Sequence, residues 1–305
     1  MASGSKKIIY AALLGNALIA ITKFVAAAIT GSSAMLSEGI HSAVDTGNQI
    51  LLLHGLRQAQ KPADRLFPFG HGKEVYFWSF VVAILIFAVG AGVSIYEGIR
   101  HLLHPQTITD PLINYVVLGF ALVFEGAAWS FAMIEFRKEK GQWGYVEAVQ
   151  RGKDPTLFVV LFEDTAAMLG LLVAAAGIGL AQITGIAYFD GAASILIGLI
   201  LGATAIWLAY ETKGLLIGES ANVRVVEGIR ALALAEAEVQ HVNEVLSMHM
   251  GPDNVLLNLS VKFRDQATAL NIEAAVTRME GAIKSEYPEV TRIFIEAESR
   301  NPQQS

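Results

Sequence analysis

The sequence predicts a membrane α-helical domain of six transmembrane helices, residues 1–210, followed by a small α+β domain, residues 211–305. Three observations predict it. Of the 305 residues 53% are hydrophobic and only 16% charged, against about 25% charged in soluble domains, and the mean hydropathy is +0.48. Six segments, 8–29, 34–56, 76–99, 111–135, 157–181 and 187–209, are each apolar over the roughly 20 residues a helix needs to cross the hydrocarbon. Charge returns after Glu211, where Lys, Arg, Asp and Glu are spread to the C-terminus.

The first span follows Lys6 and Lys7 and is not followed by a small-residue cleavage site, so it reads as an anchor rather than a removed signal peptide. Gly31-Ser32-Ser33, Leu103-His104-Pro105 and the stretch 182–187 join spans at one end of the bundle and carry almost no positive charge. The other end holds Lys6, Lys7, Arg57, Lys61, Arg65, Lys73, Arg137, Lys138, Lys140, Arg151, Lys153 and Lys213. By the positive-inside rule both termini and the small domain are expected to be cytoplasmic, at the inner membrane if the chain is bacterial. In the small domain 225–238 has helical periodicity, 243–249 and 255–263 alternate like strands around Gly251-Pro252-Asp253-Asn254, 270–287 is amphipathic and 291–297 alternates again. That order is αββαβ, the ferredoxin-like arrangement of a sheet with helices on one face.

Composition also excludes functions. A net charge of -6, with no basic stretch interleaved with aromatics, argues against a nucleic-acid partner. With no cysteine there is no disulfide or thiolate site, so any metal must be held by His, Asp, Glu or water. No Gly-x-x-x-x-Gly-Lys-Ser/Thr loop is present, which disfavours an ATP-driven pump. No constellation for covalent catalysis is present either, so the chain does not read as an enzyme and requires no cofactor.

The chemistry lies in two apolar runs that carry ionisable groups, Ser37-Glu38-Gly39-Ile40-His41-Ser42-Ala43-Val44-Asp45 and Leu161-Phe162-Glu163-Asp164. Each such group costs roughly 2.5–3.5 kcal/mol in hydrocarbon and is usually kept for a function. His41 and Asp45, four residues apart, lie on one helix face and can close on one small cation, with Glu38 a turn before His41 on the same side. Imidazole with carboxylate suits zinc and related divalent metals. Four-coordinate zinc needs two further ligands. Asp164 is the third candidate, with Glu163 or water as the fourth, although neighbouring helical residues point about 100° apart. A side chain that only caps a carbonyl or pairs with a neighbouring helix is the plainer reading of either residue alone. Lys23 and Glu125, in the first and fourth spans, read either as a structural pair or as a proton relay.

With Gly31-Ser32-Ser33-Ala34-Met35-Leu36-Ser37-Glu38 running into the His41 to Asp45 segment, Phe69-Gly70-His71-Gly72-Lys73-Glu74, Asp190-Gly191 and Leu215-Leu216-Ile217-Gly218-Glu219, the chain resembles the cation diffusion facilitator family over nearly its whole length. The resemblance implies a homodimeric six-helix metal exporter with a cytoplasmic αββαβ domain. It implies a transport site of ligand pairs four apart on the second and fifth spans, here His41 with Asp45 and Val160 with Asp164. Val160 departs from the common zinc exporters, which carry His there, and the Asp154-Pro155 and Glu163-Asp164-Thr165-Ala166-Ala167 context is similar to the divergent zinc-transporter branch that lacks this His. Asp64 and His71 match an accessory loop site, with Phe67 at the position between them; ordering of the loop by His71 is the alternative. In the small domain Glu296, Glu298, Asn243 and Leu259 stand at the family's binuclear positions, with His241 and His249 nearby. Lys73 matches a loop interlock, with Glu219 or Glu211 as partner.

The function this implies is efflux of a divalent cation, foremost Zn2+, exchanged for protons by alternating access in a lipid bilayer. His41 suits the exchange, because an imidazole binds a metal when neutral and a proton as the pH falls. Two alternatives stand beside it: a non-transporting metal sensor or assembly protein with a degraded site, and a transporter of manganese, iron, cobalt or nickel.

Overall fold

The computed structural model describes residues 3–106, 108–140, 144–145, 148–149, 152 and 155–299. They form two compact units, one of Met1–Leu56 with Phe77–Lys213, the other of Arg57–Tyr76 with Gly214–Ser305. Among the sequence landmarks, Arg151, Lys153 and Asp154, and the side chains of Lys6 and Lys7, lie outside the described residues.

The first unit contains six long helices among its described residues: α1 (Ser3–Thr30), α2 (Ser33–Ala59), α3 (Glu74–Leu103), α4 (Pro111–Lys140), α5 (Pro155–Thr184) and α6 (Tyr188–Ile217). Of these, α3 to α6 are long and apolar enough to cross a membrane. In α1 the stretch Asn16–Thr30 is apolar. The interior of α2 is interrupted by Ser37, Glu38, His41, Ser42 and Asn48, all buried. These two are the helices whose polar groups the rest of the bundle has to satisfy.

Local sequence explains the ends. Pro111 and Pro155 open α4 and α5 at the first helical position, where a missing N–H is no loss. α1 closes at Gly31, whose φ of +73° is left-handed, so the chain reverses and starts α2 at Ser33. Within α3 the turns Ile86–Ala91 widen into a π-helix. α3 and α6 approach backbone to backbone, as a β-carbon on Gly98 would stand 2.8 Å from the carbonyl of Gly191 and one on Gly198 would stand 3.0 Å from that of Ala91. Close small-residue crossings of this kind hold helices together where lipid removes the hydrophobic drive.

The second unit carries α7 (Val223–Leu234), β1 (Val239–Gly251), β2 (Asn254–Phe263), α8 (Ala269–Glu286) and β3 (Val290–Ala297), in αββαβ order. The sheet order is β1-β2-β3. β1 and β2 pair antiparallel with Val245 opposite Leu259, and β2 and β3 pair parallel with Leu257 opposite Ile293. A parallel pair needs a crossover, which α8 supplies. Asn222 and Thr268 cap α7 and α8 by accepting from the N–H groups of Arg224 and Asn271. β2, flanked on both edges, gives the core Val255, Leu257, Leu259 and Val261, against Ile229 of α7 and Ile283 of α8. The segment 57–76 packs into this unit: a β-carbon on Gly72 would run into the carbonyl of Met250 in the β1–β2 turn. Lys73 reaches the sulfur of Met248 at 3.8 Å. Glu211 accepts from Trp207 Nε1 on its own helix at 3.0 Å.

Leu257 is fully buried in the middle strand. Leu257→Ala is expected to destabilise the small domain by about 2–5 kcal/mol, read as loss of hydrogen-exchange protection across β1, β2 and β3 with the helical unit unchanged.

Candidate metal site in the helical unit

α2 sets His41 and Asp45 one turn apart, with Nδ1 of His41 3.1 Å from Oδ1 of Asp45. His41 is 1% exposed, and neither of its ring nitrogens makes a hydrogen bond of good geometry among the described residues. An unsatisfied buried imidazole is costly and calls for a ligand or a role. The carboxyl of Asp45 hydrogen-bonds that of Glu163 on α5. Glu163 is fixed from its other side by Asn48, whose Nδ2 donates to Oε1 at 2.6 Å. His41, Asp45, Glu163 and Asn48 thus form a chain of contacts from α2 to α5 and back.

Asp45, Glu163 and Asp164 line a common cavity of about 20 Å³, with Glu125, Ser42 and Val160. That volume suits one or two waters or a small ion. The adjacent carboxylates Glu163 and Asp164 both reach it, although successive helical positions diverge by about 100°. Val160, a turn before Asp164, presents an apolar wall. Among the described residues no three His, Asp or Glu side chains converge at metal-ligand spacing; His41 meets the cavity through Asp45.

Glu38 is turned elsewhere. Its Oε2 lies 3.0 Å from Nζ of Lys23, which also donates to Ser42 Oγ at 2.8 Å and to Glu125 Oε1 at 2.8 Å. Lys23 and Glu125 are in contact, and Glu38 joins them. Lys23 and Glu38 are both 0% exposed, so the ammonium is taken wholly out of solvent and held by three oxygens from two other helices. Sequence reasoning missed Ser42 and Asn48; the signal was their spacing, one turn after Glu38 and after Asp45 on the buried side of α2.

Outside the helical unit, Asp64 Oδ2 meets His71 Nε2 at 3.0 Å while Oδ1 accepts from the N–H groups of Leu66 and Phe67, each at 2.8 Å. The Phe67 ring lies against the imidazole, centroids 4.6 Å apart. This loop is ordered by its own contacts. In the small domain Asn258 Nδ2 donates to Glu296, Ser260 Oγ to Glu298, and Asn243 Nδ2 to Ser260, so these positions form a hydrogen-bonded polar ladder across the sheet. His249 is buried, with Nδ1 3.3 Å from the carbonyl of Gly251.

A set of long apolar helices that turn carboxyl groups inward on one small cavity, with a buried imidazole beside it, defines a polar site inside a bundle of membrane-crossing length and composition. The chain belongs to the cation efflux family: residues 9–217 match its transmembrane domain. It is therefore an integral membrane protein, of a family of transporters rather than enzymes. It is 34% identical over 271 residues to the proton-coupled zinc antiporter SLC30A9, mitochondrial, of Xenopus laevis, covering 81% of this chain and 48% of that protein. It is 35% identical over 209 residues to the human protein of the same name, covering 68% and 37%. It is 30% identical over 226 residues to metal tolerance protein C4 of Arabidopsis thaliana, covering 73% and 50%. The chain spans half or less of the length of these relatives.

Two outcomes follow from the geometry. Lys23→Met leaves two buried carboxylates without their cation and is expected to cost about 3–5 kcal/mol, measured as a fall in the thermal unfolding midpoint of the purified protein. The Phe67 N–H and then His71 hold the Asp64 carboxyl below the ordinary carboxylate range. A depressed folded value means that this contribution to loop order is fully present above the unfolded value, about 3.9, and is lost as pH falls through the folded one. A chemical-shift titration should place the Asp64 midpoint below that of an exposed Asp, and Phe67→Pro, which removes the N–H, should raise it.

Proposed function

We propose that the chain exports a divalent cation, foremost zinc, in exchange for protons, using His41, Asp45 and Asp164 as metal ligands with Glu163 completing the shell. The observation that carries this is the buried His41–Asp45 pair, with both imidazole nitrogens free of hydrogen bonds among the described residues, set beside the Asp45–Glu163 carboxyl pair. A metal needs its imidazole and carboxyl ligands deprotonated, so metal and proton compete for one site. Zinc is favoured over manganese because an imidazole sits in the ligand set. The name of the Xenopus and human relatives, a proton-coupled zinc antiporter, supports the same substrate pair.

In this reading α1 and α2 join α3 to α6 as six spans, both termini face the cytoplasm as the positive charge at that end favours, and the protein works as a homodimer. Lys23 with Glu38 and Glu125 is a fixed charge cluster beside the transport site, and alternating access opens the α2–α5 contact to either side in turn. The loop pair Asp64–His71 and the polar ladder of the small domain serve structure.

The test is zinc flux into vesicles reconstituted with the purified protein under an imposed pH gradient. Wild-type protein should transport zinc in proportion to the gradient, and His41→Ala should fall to the rate of empty vesicles while remaining folded. Undiminished flux in His41→Ala would overturn the assignment. Zinc binding without flux in the wild type would favour the non-transporting alternative, which rests on Val160 standing where a His would complete the ligand set.

A further inference from the structure

The polar residues of α2 do not stop at His41. Ser33, Ser37, His41 and Asp45 succeed one another at four-residue intervals, so they form one stripe along the helix, and the first three are at least nine-tenths buried. Facing helices match this stripe at two levels. At the level of Ser37 its hydroxyl bonds that of Ser194 on α6, which also donates to the carbonyl of Ser94 on α3 at 2.9 Å. At the level of Ser33, one turn further from His41, stand Asp190 of α6 and His101 of α3.

Asp190 is 0% exposed, with Oδ1 accepting from Ser32 Oγ at 2.6 Å and Oδ2 from the N–H of Ser33 at 2.6 Å and its Oγ at 3.0 Å. A carboxylate offers about four lone-pair positions, and these donors fill three. Ser33 takes both positions on Oδ2 and Ser32 one on Oδ1; Nε2 of His101 lies 3.7 Å from Oδ2, where a cation would take the place of the longer Ser33 Oγ bond. The separation of Nε2 from Oδ2 is too long for a hydrogen bond. His101 is 7% exposed, and its Nε2 has no hydrogen-bond partner among the described residues. It lines an open cavity of about 560 Å³ together with Ser32, Ser33, Glu97, Arg100 and His104. Zinc binds imidazole nitrogen and carboxylate oxygen at about 2.0–2.2 Å, which sets two such ligands roughly 3.4 Å apart at the tetrahedral angle. The observed separation needs only a few tenths of an ångström of adjustment.

We infer that His101 and Asp190 form a second binding site for a zinc-class divalent cation, at the opposite end of the α2 polar stripe from Asp45, with water from the adjoining cavity completing the shell. Ser33 and His41 are eight residues apart, about 12 Å along the helix, so an ion could not touch both sites at once. Ser37 and Ser194 supply oxygen between them. Asp190 is oriented by Ser32 and Ser33, whereas His101 is the ligand that metal binding would recruit. Glu97 is engaged with Arg100 at 3.2 Å and adds no net charge to the cavity. The role of this site as the station from which exported metal leaves rests on the transport reading; its binding of metal does not.

The experiment counts zinc ions bound per chain after equilibrium dialysis of the purified full-length protein against Zn2+ alone, for wild type, His101→Leu, His41→Ala with Asp45→Ala, and the three changes combined. Two ions are expected in wild type, one in each partial variant and none in the combination. A count unchanged by His101→Leu overturns the second site, and leaves the transport site standing if the His41 and Asp45 changes remove an ion. Loss with His101→Leu but not with the His41 and Asp45 changes supports the second site while the transport reading falls. Should His101→Leu not fold, the wild type decides: saturating zinc should slow diethylpyrocarbonate modification of His101 at least tenfold by peptide mass spectrometry, and an unchanged rate overturns the inference.

Discussion

Charge removed from water must find its partners inside the protein, and in this chain that constraint falls almost entirely on α2. Glu38, His41 and Asp45 occupy two turns of a single helix, and the two carboxyl groups are met from different helices. Lys23 of α1 takes Glu38 and, with Glu125 of α4, closes a cluster in which one ammonium serves two carboxylates and a hydroxyl. Glu163 of α5 takes Asp45. The neighbours of α2 are thus fixed by ionic and hydrogen-bonded demands as well as by packing. Hydrocarbon supplies no hydrogen bonds, so a bundle assembled with any of these helices displaced would leave a bare charge in it.

That arrangement separates two kinds of buried polar group. The Lys23 cluster and the Asp190 cap are engaged by several donors or acceptors each, and their geometry is that of a fixed joint. His41 and His101 differ: both are imidazoles placed beside a carboxylate, His41 with neither ring nitrogen and His101 with its Nε2 not hydrogen-bonded among the described residues. A joint holds helices in register; an unsatisfied imidazole beside an anion can accept a metal or a proton. The serines of the α2 stripe lie between the two. The small-residue contact of α3 on α6 brings Ser94 and Ser194 close enough to meet it.

The small domain follows ordinary soluble rules, with period-two strands, amphipathic helices, capping residues at both helix starts and a core centred on the middle strand. The order αββαβ was legible because turn residues and changes of period mark each boundary. The loop motif at 69–74 was legible as a motif, but its use was not: Gly72 is required by a carbonyl in a hairpin almost 180 residues away, which no local pattern announces. The same holds for Glu38. Helical spacing puts it near His41, and only the arrival of Lys23 from α1 decides that it serves a charge cluster instead. Ser42 and Asn48 went unread because hydroxyl and amide groups in an apolar run carry no sign of which neighbour they will meet.

What the sequence determined by itself was everything that depends on period, length and transfer free energy: apolar helices long enough for a bilayer, a separate αββαβ unit, and a face of α2 that places His41 and Asp45 a turn apart. These are consequences of one helix or one strand considered alone. Tertiary structure decided the partners. It joined Glu163 rather than Asp164 to Asp45, brought both to one cavity walled by Val160, gave Glu38 to Lys23, and set His101 opposite Asp190. Each of those outcomes depends on which helices lie side by side and at what height, and a one-dimensional pattern has no term for the distance between residues more than a few turns apart.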